Sequence, residues 1–305
     1  MIDLRRLQVL RAVAYHGTVT AAAESLHLTP SAASQQVRQL GRELGVALLE
    51  PSGRRVRLTP AARTLLEHAE AIEERWQRAR SDLARAGETT GGELHLCGIP
   101  SAIYALLAPA VARLRRRLPD VTTHVREAES PDNFSLLFSG AVDLGVTEAT
   151  PENPPLTDAR FDQRRLLDDP FDLLTAPEHP LAGRSGITPR DLATEPWIVA
   201  MPGTAYRQMI LAVCNTAGFT PAIAHEVLEW TAVAHLVGHG LGVSLIPRLV
   251  QLPAEPAVAR TPLAPHAAPH RQFLTATRRG NREQPAIASA LSLLDEVAAE
   301  QSLPR

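Results

Sequence analysis

The chain has 305 residues, of which 45% are apolar and 21% charged, with a net charge of −2 and two cysteines. This is long enough for more than one domain and apolar enough to pack cores, which excludes a disordered chain or a disulfide-stapled miniature. No apolar run approaches the ~20 residues needed to span a bilayer, and no cationic leader with a cleavable apolar core is legible, so a cytoplasmic protein without membrane contact is expected.

The first segment, LRRLQVLRAVAYHGT, carries Leu4, Leu7, Leu10 and Val13 at helical spacing and stops at Gly17. A short alanine-rich helix, TVTAAAESLHL, ends before Thr29-Pro30, an N-cap followed by a proline at the first helical position. From there Ala33, Val37, Leu40 and Leu44 form one apolar stripe, which leaves Ser31, Gln35, Arg38 and Arg42 on the opposite face. Two short helices joined tightly, the second with a polar outer stripe, describe a helix-turn-helix, and a Gln/Arg face suits adenine and guanine edges in a major groove. ALLEPSGRRVRLT then reads as a β-hairpin turning at Pro51-Ser52-Gly53, with Arg54, Arg55 and Arg57 at its tip and return arm, a wing suited to phosphates. Residues 1–57 hold eight arginines against four acids, a net of +4, so the remaining residues carry −6. A basic head on an acidic body points to nucleic acid at the head alone.

Thr59-Pro60 opens a helix that runs to about Gly87, with Leu58, Ala62, Leu65, Ala69, Ile72, Trp76, Ala79, Leu83 and Ala86 alternating at intervals of four and three. A sustained 3.5-residue period is a coiled-coil seam, and a helix roughly 42 Å long cannot bury it alone. Pairing of two copies along this seam is expected, which would set two recognition helices side by side. Packing on the body of the same chain is the competing explanation.

GETTGG (87–92) reads as the domain break. Beyond it strand-like and helix-like runs alternate. ELHLCGI, a long helix from Pro100, VTTHVRE, the helical SPDNFSLLFSGA and VDLGVTE make a first set. FDLLTA, WIVAM, the helix TAYRQMILAVCNTAG, HEVL, the helix EWTAVAHLVGHG and GVSLIP make a second, before HRQFLTATRR and a terminal helix QPAIASALSLLDEVAAEQ. The alternation predicts two α/β lobes with mainly parallel sheets and ligands at the strand ends. Pro100-Ser101-Ala102 and Pro202-Gly203-Thr204 follow strands in the two sets and could aim hydroxyls and free N–H groups into an interlobe cleft, a seat for a carboxylate or similar anion. Ser101 and Thr204 serve equally well as helix caps.

Other signals are weaker. His235/His239 and His266/His270 are paired at a spacing of four but lack further ligands, so no metal is expected. Cys97 and Cys214 have no neighbour that would activate a thiol, GLGVS (240–244) is neither a dinucleotide fingerprint nor a nucleophile elbow, and no catalytic constellation stands out.

With these residues in view the chain resembles the LysR-type transcriptional regulators. The match is specific and gap-free from LRRLQVLRAV through GRRVRLTPAA, and weaker over LLFSGAVDLGV and VGHGLGVSLIP, so it covers essentially the whole chain. The resemblance implies an α+β winged helix-turn-helix (1–58), a dimerising linker helix (59–90), and a two-lobed α/β effector-binding domain (91–305) akin to periplasmic solute-binding proteins. Lobe 1 would span about 91–163 and 268–305, and lobe 2 about 164–267. It implies DNA contacts at Ser31, Ser34, Gln35, Arg38, Arg54 and Arg55, to which the outer-face reading adds Arg42 and Arg57. Effector contacts are implied at Ser101, Ala102, Ser130, Thr147, Met201, Gly203, Thr204 and Pro247, and dimer contacts fall on Leu65, Ala69, Ile72, Trp76, Ala79 and Leu83. Pro30, Leu49, Pro51 and Ala62 depart from the family's common glutamine, phenylalanine, arginine and glycine. The expected protein is therefore a non-enzymatic, cofactor-free bacterial regulator, a homodimer or homotetramer on double-stranded promoter DNA, responsive to a small effector and working with RNA polymerase. The rival reading is a solute-binding protein or small-molecule enzyme with its activity in residues 91–305.

Overall fold

The computed structural model describes residues 3–52, 55–86 and 92–301. Three helices come first: α1 (Leu4–His16), α2 (Val19–Ser25) and α3 (Pro30–Leu44). Thr29 caps α3 as expected, accepting from Ala32 N, and Asp3 and Thr18 do the same for α1 and α2, accepting from Arg5 N and Ala21 N, while Gly17 and Gly45 end α1 and α3 in the left-handed conformation. Leu7, Leu10, Val13, Ala22, Ala23, Ala33, Val37 and Leu40 close one core between them. β1 (Leu49–Ser52) and β2 (Arg55–Leu58) pair antiparallel as the hairpin. At its base Thr59 Oγ1 donates to Ala47 O (2.7 Å) and accepts from Ala62 N (3.1 Å), starting the 27-residue helix α4 (Pro60–Ala86).

The C-terminal part is built on β3 (Gly92–Gly98), β4 (Val121–Glu127), β5 (Leu144–Glu148), β6 (Phe161–Thr175) and β11 (His270–Arg278), in the order β4-β3-β5-β11-β6. β3 runs parallel to β4 and β5, but β11 is antiparallel to both β5 and β6, so the sheet is mixed where a mainly parallel one was expected. β6 is one strand of fifteen residues, of which only its end, FDLLTA, is legible as a strand from sequence, because charged residues interrupt the earlier part. Its second half pairs with β9 (Ser244–Pro247) and β10 (Ala259–Pro262), and β10 carries no apolar run to announce it. β7 (Pro196–Val199) and β8 (Ala222–Glu226) form a parallel pair bridged to Val243.

Two cores follow from this arrangement. One packs Leu94, Leu96, Leu114 and Phe273 against α10 (Pro285–Gln301) and the helical stretch α5 (Pro100–Ala102) and α6 (Ala108–Arg117), which are joined by a π-helical turn at Ile103–Leu107. The other packs Phe171, Leu173, Trp197 and Leu245 against α8 (Ala205–Thr216), while Ile198 and Ile246 pack under Val233 and Val237 of α9 (Trp230–Gly238). Because β6 runs from the first core into the second and β11 returns beside it, two strands connect the lobes.

The N-terminal core is continuous with the other face of the first lobe's sheet, where α7 (Asp132–Ser139) lies. Tyr15 on α1 stacks on Phe138 (centroids 4.5 Å apart, 6° between planes), and the Arg160 guanidinium sits 4.8 Å over Tyr15. Arg11, almost fully buried, donates to Glu70 Oε1 and Oε2 (3.0 and 2.8 Å) and to Glu73 (3.1 Å), tying α1 to α4.

Candidate functional site

α3 meets the expectation for a groove-reading helix in its geometry. Ala33, Val37, Leu40 and Gly41 are buried, and Ser31, Gln35, Arg38 and Arg42 are exposed on the far face, with Ser34 half-buried between. Among the described residues neither Arg38 nor Arg42 has an ion-pair partner, whereas Glu43 on the flank is held by Arg6 and Gln39. The face thus presents two uncompensated guanidiniums, a primary amide and hydroxyls to solvent. Gly41 lets the turn that leads to the wing fold back on the helix, since a Cβ there would lie 2.7 Å from Val46 O. In the hairpin Arg57 pairs with Glu50 at 2.7 Å; both are well exposed, so the pair is weak and open to exchange for a phosphate. Arg54 lies outside the described residues, and for Arg55 the backbone alone is described, as the residue that opens β2.

The expected seam on α4 behaves differently along its length. Ala62 and Ala69 are buried against the chain's own N-terminal core, and Leu65 is packed beside them, so Ala69 is not free for a second copy. Further on, the face turned to the body is Gln77 and Ser81, which meets Gly280: a Cβ on Gly280 would lie 2.6 Å from Glu74 O. Ile72, Trp76 and Leu83 are exposed, at 45%, 56% and 69%, with Ala79 half-buried between them. The N-terminal core ends at Ala69, and beyond it the body meets α4 on the Gln77–Ser81 side, so the later part of the stripe faces outward.

In the C-terminal part the predicted effector residues fall into three groups. Ser101 is 4% exposed and its hydroxyl accepts from Arg271 Nη2 (2.8 Å), a partner that sequence reasoning missed. Arg271 also pairs with Asp169 (2.9 Å) and Glu148 (3.7 Å), and Asp169 accepts from Leu249 N (2.9 Å). Burial pushes the Asp169 and Glu148 carboxyls above their ordinary values, against the pull of Arg271. Around Ser101 there are therefore two carboxylates to one guanidinium, not the cationic or N–H-rich seat expected for an anion. Ser130 and Thr147 come together through Asn153, whose Nδ2 lies 2.8 Å from Ser130 Oγ, 3.2 Å from Thr147 Oγ1 and 2.6 Å from Glu148 O. Asn153 carries no motif that would single it out in the sequence. Thr147 and Ala102 are fully buried, and Pro247 is buried in β9 beside Phe171. Met201, Gly203 and Thr204 form the exposed turn ahead of α8; Thr204 caps that helix through Arg207 N (3.3 Å) and donates to Met201 O (2.9 Å), so the capping reading of Thr204 is realised.

Burial pushes the Cys97 thiol up to about 12 and the Cys214 thiol up to about 11, so neither is a thiolate near neutrality.

Residues 4–63 match the bacterial regulatory helix-turn-helix protein, lysR family, and residues 87–299 match the LysR substrate binding domain. The chain belongs to the LysR family. This LysR-type regulator is 32% identical to the HTH-type transcriptional regulator AlsR of Bacillus subtilis over 250 residues, covering 81% of this chain and 80% of that one. It is 29% identical to the RuBisCO operon transcriptional regulator of Allochromatium vinosum, over 94% of each chain. In fold it is similar to a variant of full-length OxyR from Pseudomonas aeruginosa (TM-score 0.62, 24% identity, 97% of both chains) and to full-length BenM (TM-score 0.58, 22% identity, 99% of both). As a LysR-type regulator it combines a DNA-binding helix-turn-helix with a domain that responds to a small-molecule effector. No helix among the described residues is long and apolar enough to cross a membrane.

Proposed function

We propose that this regulator binds promoter DNA as a dimer, or as a tetramer built from dimers, in the cytoplasm, without catalytic activity, and passes its signal to RNA polymerase. The observation that supports this most is the solvent-facing polar stripe of α3, with Arg38 and Arg42 uncompensated, on a helix whose other face is fixed in a core. Ser31, Ser34, Gln35, Arg38 and Arg42 read base edges, and Arg54, Arg55 and Arg57 hold the backbone. Ile72, Trp76, Ala79 and Leu83, with Leu65 at the near end, face the second copy. The protein divides at residues 1–58, 59–90 and 91–305, with lobes of about 91–163 plus 268–305 and 164–267. A small effector binds between the lobes, touching the Ser130–Thr147–Asn153 group and the Met201–Thr204 turn, with Ser101, Ala102 and Pro247 behind them. The ligand acts only through unequal affinity for two lobe arrangements. Both thiols are buried, and burial pushes each upward, which favours a bound molecule over an oxidant of Cys97 or Cys214 as the effector.

The test is salt-dependent gel retardation and nuclease protection on the DNA upstream of its own gene. Gln35→Ala and Arg38→Ala are expected each to weaken binding to the protected site by roughly 1–3 kcal/mol while leaving random DNA nearly unaffected. Equal losses on both DNAs would remove these residues from sequence reading, and turnover of a small molecule without any protected site would favour an enzyme.

A further inference from the structure

Glu93 and His95 alternate on β3, and the register pairs His95 with His124 of the parallel neighbour β4. Residues i and i+2 of a strand share a face, and a residue shares it with its cross-strand partner, so the three side chains stand together on one surface of the first lobe. His95 Nε2 lies 3.2 Å from Glu93 Oε2, and the imidazoles of His95 and His124 are stacked with centroids 4.8 Å apart and 13° between planes. One ligand atom from each of the three side chains falls within 4.8 Å of the others.

From this juxtaposition we propose that Glu93, His95 and His124 form a surface site for a divalent transition-metal ion of the zinc class. Two imidazoles and one carboxylate are the donor set of three-ligand zinc centres, which keep a fourth position for water. Magnesium and calcium prefer all-oxygen shells and are poorly served by imidazole, so the site selects the borderline cations Zn²⁺, Ni²⁺ and Cu²⁺. Tetrahedral ligation at about 2.1 Å sets ligand atoms roughly 3.4 Å apart. The Glu93–His95 separation already satisfies this; the exposed ring of His124 has to turn out of its stack on His95, so that the in-plane lone pairs of both imidazoles converge on one ion. His95 would bind through Nε2 with its single ring proton on Nδ1: a ring that is neutral before binding exchanges its Nε2 proton for one on Nδ1, and a doubly protonated ring releases one proton to solvent. The backbone N–H of His95 donates to Asp143 Oδ2 (3.1 Å), whose other oxygen accepts from Arg278 (3.2 Å), so β3 is anchored at the ligand position by a bond independent of the metal.

The sequence draws the eye elsewhere, to the exposed His235 on α9 and His239 just after it, and these provide the control. The full chain, stripped with a chelator, is titrated calorimetrically with ZnCl₂, with MgCl₂ in parallel, and Co²⁺ is added as a visible reporter. One Zn²⁺ per chain, no Mg²⁺ response, and Co²⁺ bands of low-symmetry four-coordination are expected. His124→Asn and Glu93→Gln, both at the surface and close in size, should lower Zn²⁺ affinity by more than roughly 100-fold, since losing a ligand costs more than losing an outer partner. The double variant His235→Ala/His239→Ala should bind as the unaltered chain does. Unchanged affinity in His124→Asn, or loss of binding in the His235/His239 variant, would overturn the site.

Discussion

Arg271 carries two carboxylates and a hydroxyl on a single guanidinium, and the charge surplus has a consequence for pH. Burial raises the carboxyl of Glu148 above its ordinary value, as it does that of Asp169. A carboxyl whose folded-state pKa is raised binds its proton more readily in the native state, so its ionisation costs stability as pH rises through the range above the ordinary value of about 4.3. Removing Glu148's charge leaves the shorter Arg271–Asp169 pair intact. Glu148→Gln is therefore expected to raise the melting temperature at neutral pH and to flatten its decline between mildly acidic and neutral buffer. A lower melting temperature at pH 7 would show that the longer ion pair outweighs the desolvation of the acid. The same residues redirect the effector question. Ser101, expected to aim its hydroxyl into a cleft, is occupied by Arg271, while Ser130 and Asn153 are half-buried partners of one another.

Each helix of the N-terminal domain is fixed by a local signal at its ends and a tertiary one on its face. α3 depends on Gly41, where the turn that leaves the helix for the wing folds back on it and leaves no room: a Cβ would stand 2.7 Å from the backbone oxygen of Val46. Gly41→Ala is expected to destabilise the domain by about 1–3 kcal/mol, the usual cost of overpacking, despite alanine's better helix propensity. Thermal denaturation followed by circular dichroism measures it, and a stabilised variant would show that the turn at Val46 can move away from α3 without loss. α1 differs from the other two in facing the first lobe as well as its own domain, through Tyr15 on Phe138 and Arg160 over Tyr15. Movement of α7 or of the start of β6 is therefore felt at α1 by direct contact and not only through α4.

For the molecule as a whole, the unfinished surface is the outer half of α4. Ile72, Trp76 and Leu83 together leave a large apolar stripe in water, next to arginines and glutamates that suit a solvated rim. A second copy laid along this stripe would cover it, with Trp76 as the central anchor. Trp76→Glu should raise the dimer dissociation constant by about 30-fold or more, the effect of losing a hot spot worth at least 2 kcal/mol. Sedimentation velocity over a dilution series reads this directly. The monomer should keep its fold, because the face of α4 that packs on the body is Ala62, Ala69, Gln77 and Ser81 instead. An unaltered sedimentation profile would move the interface elsewhere. DNA affinity should fall with the dimer, since single half-sites bind weakly.

What the sequence determined by itself is whatever short-range physics dictates. Thr18, Thr29 and Thr59 cap the residues just after them, the stripe of Ala33, Val37 and Leu40 chooses the inner face of α3, and the outer face with Gln35 and Arg38 follows from a 100° step per residue. The glycines at 17 and 45 mark the ends of α1 and α3 for the same reason. The tertiary structure decided what depends on residues far apart in the chain. It made β11 antiparallel, drew β6 out to fifteen residues across both lobes, and placed Arg271 on Ser101 and Asn153 between Ser130 and Thr147. Pairing His95 with His124 was likewise a matter of strand register, which no local period encodes. The same division runs down α4. Its 3.5-residue stripe is legible as a pattern, but which part of it the chain covers and which part it leaves open is set by how far along the helix the N-terminal core extends.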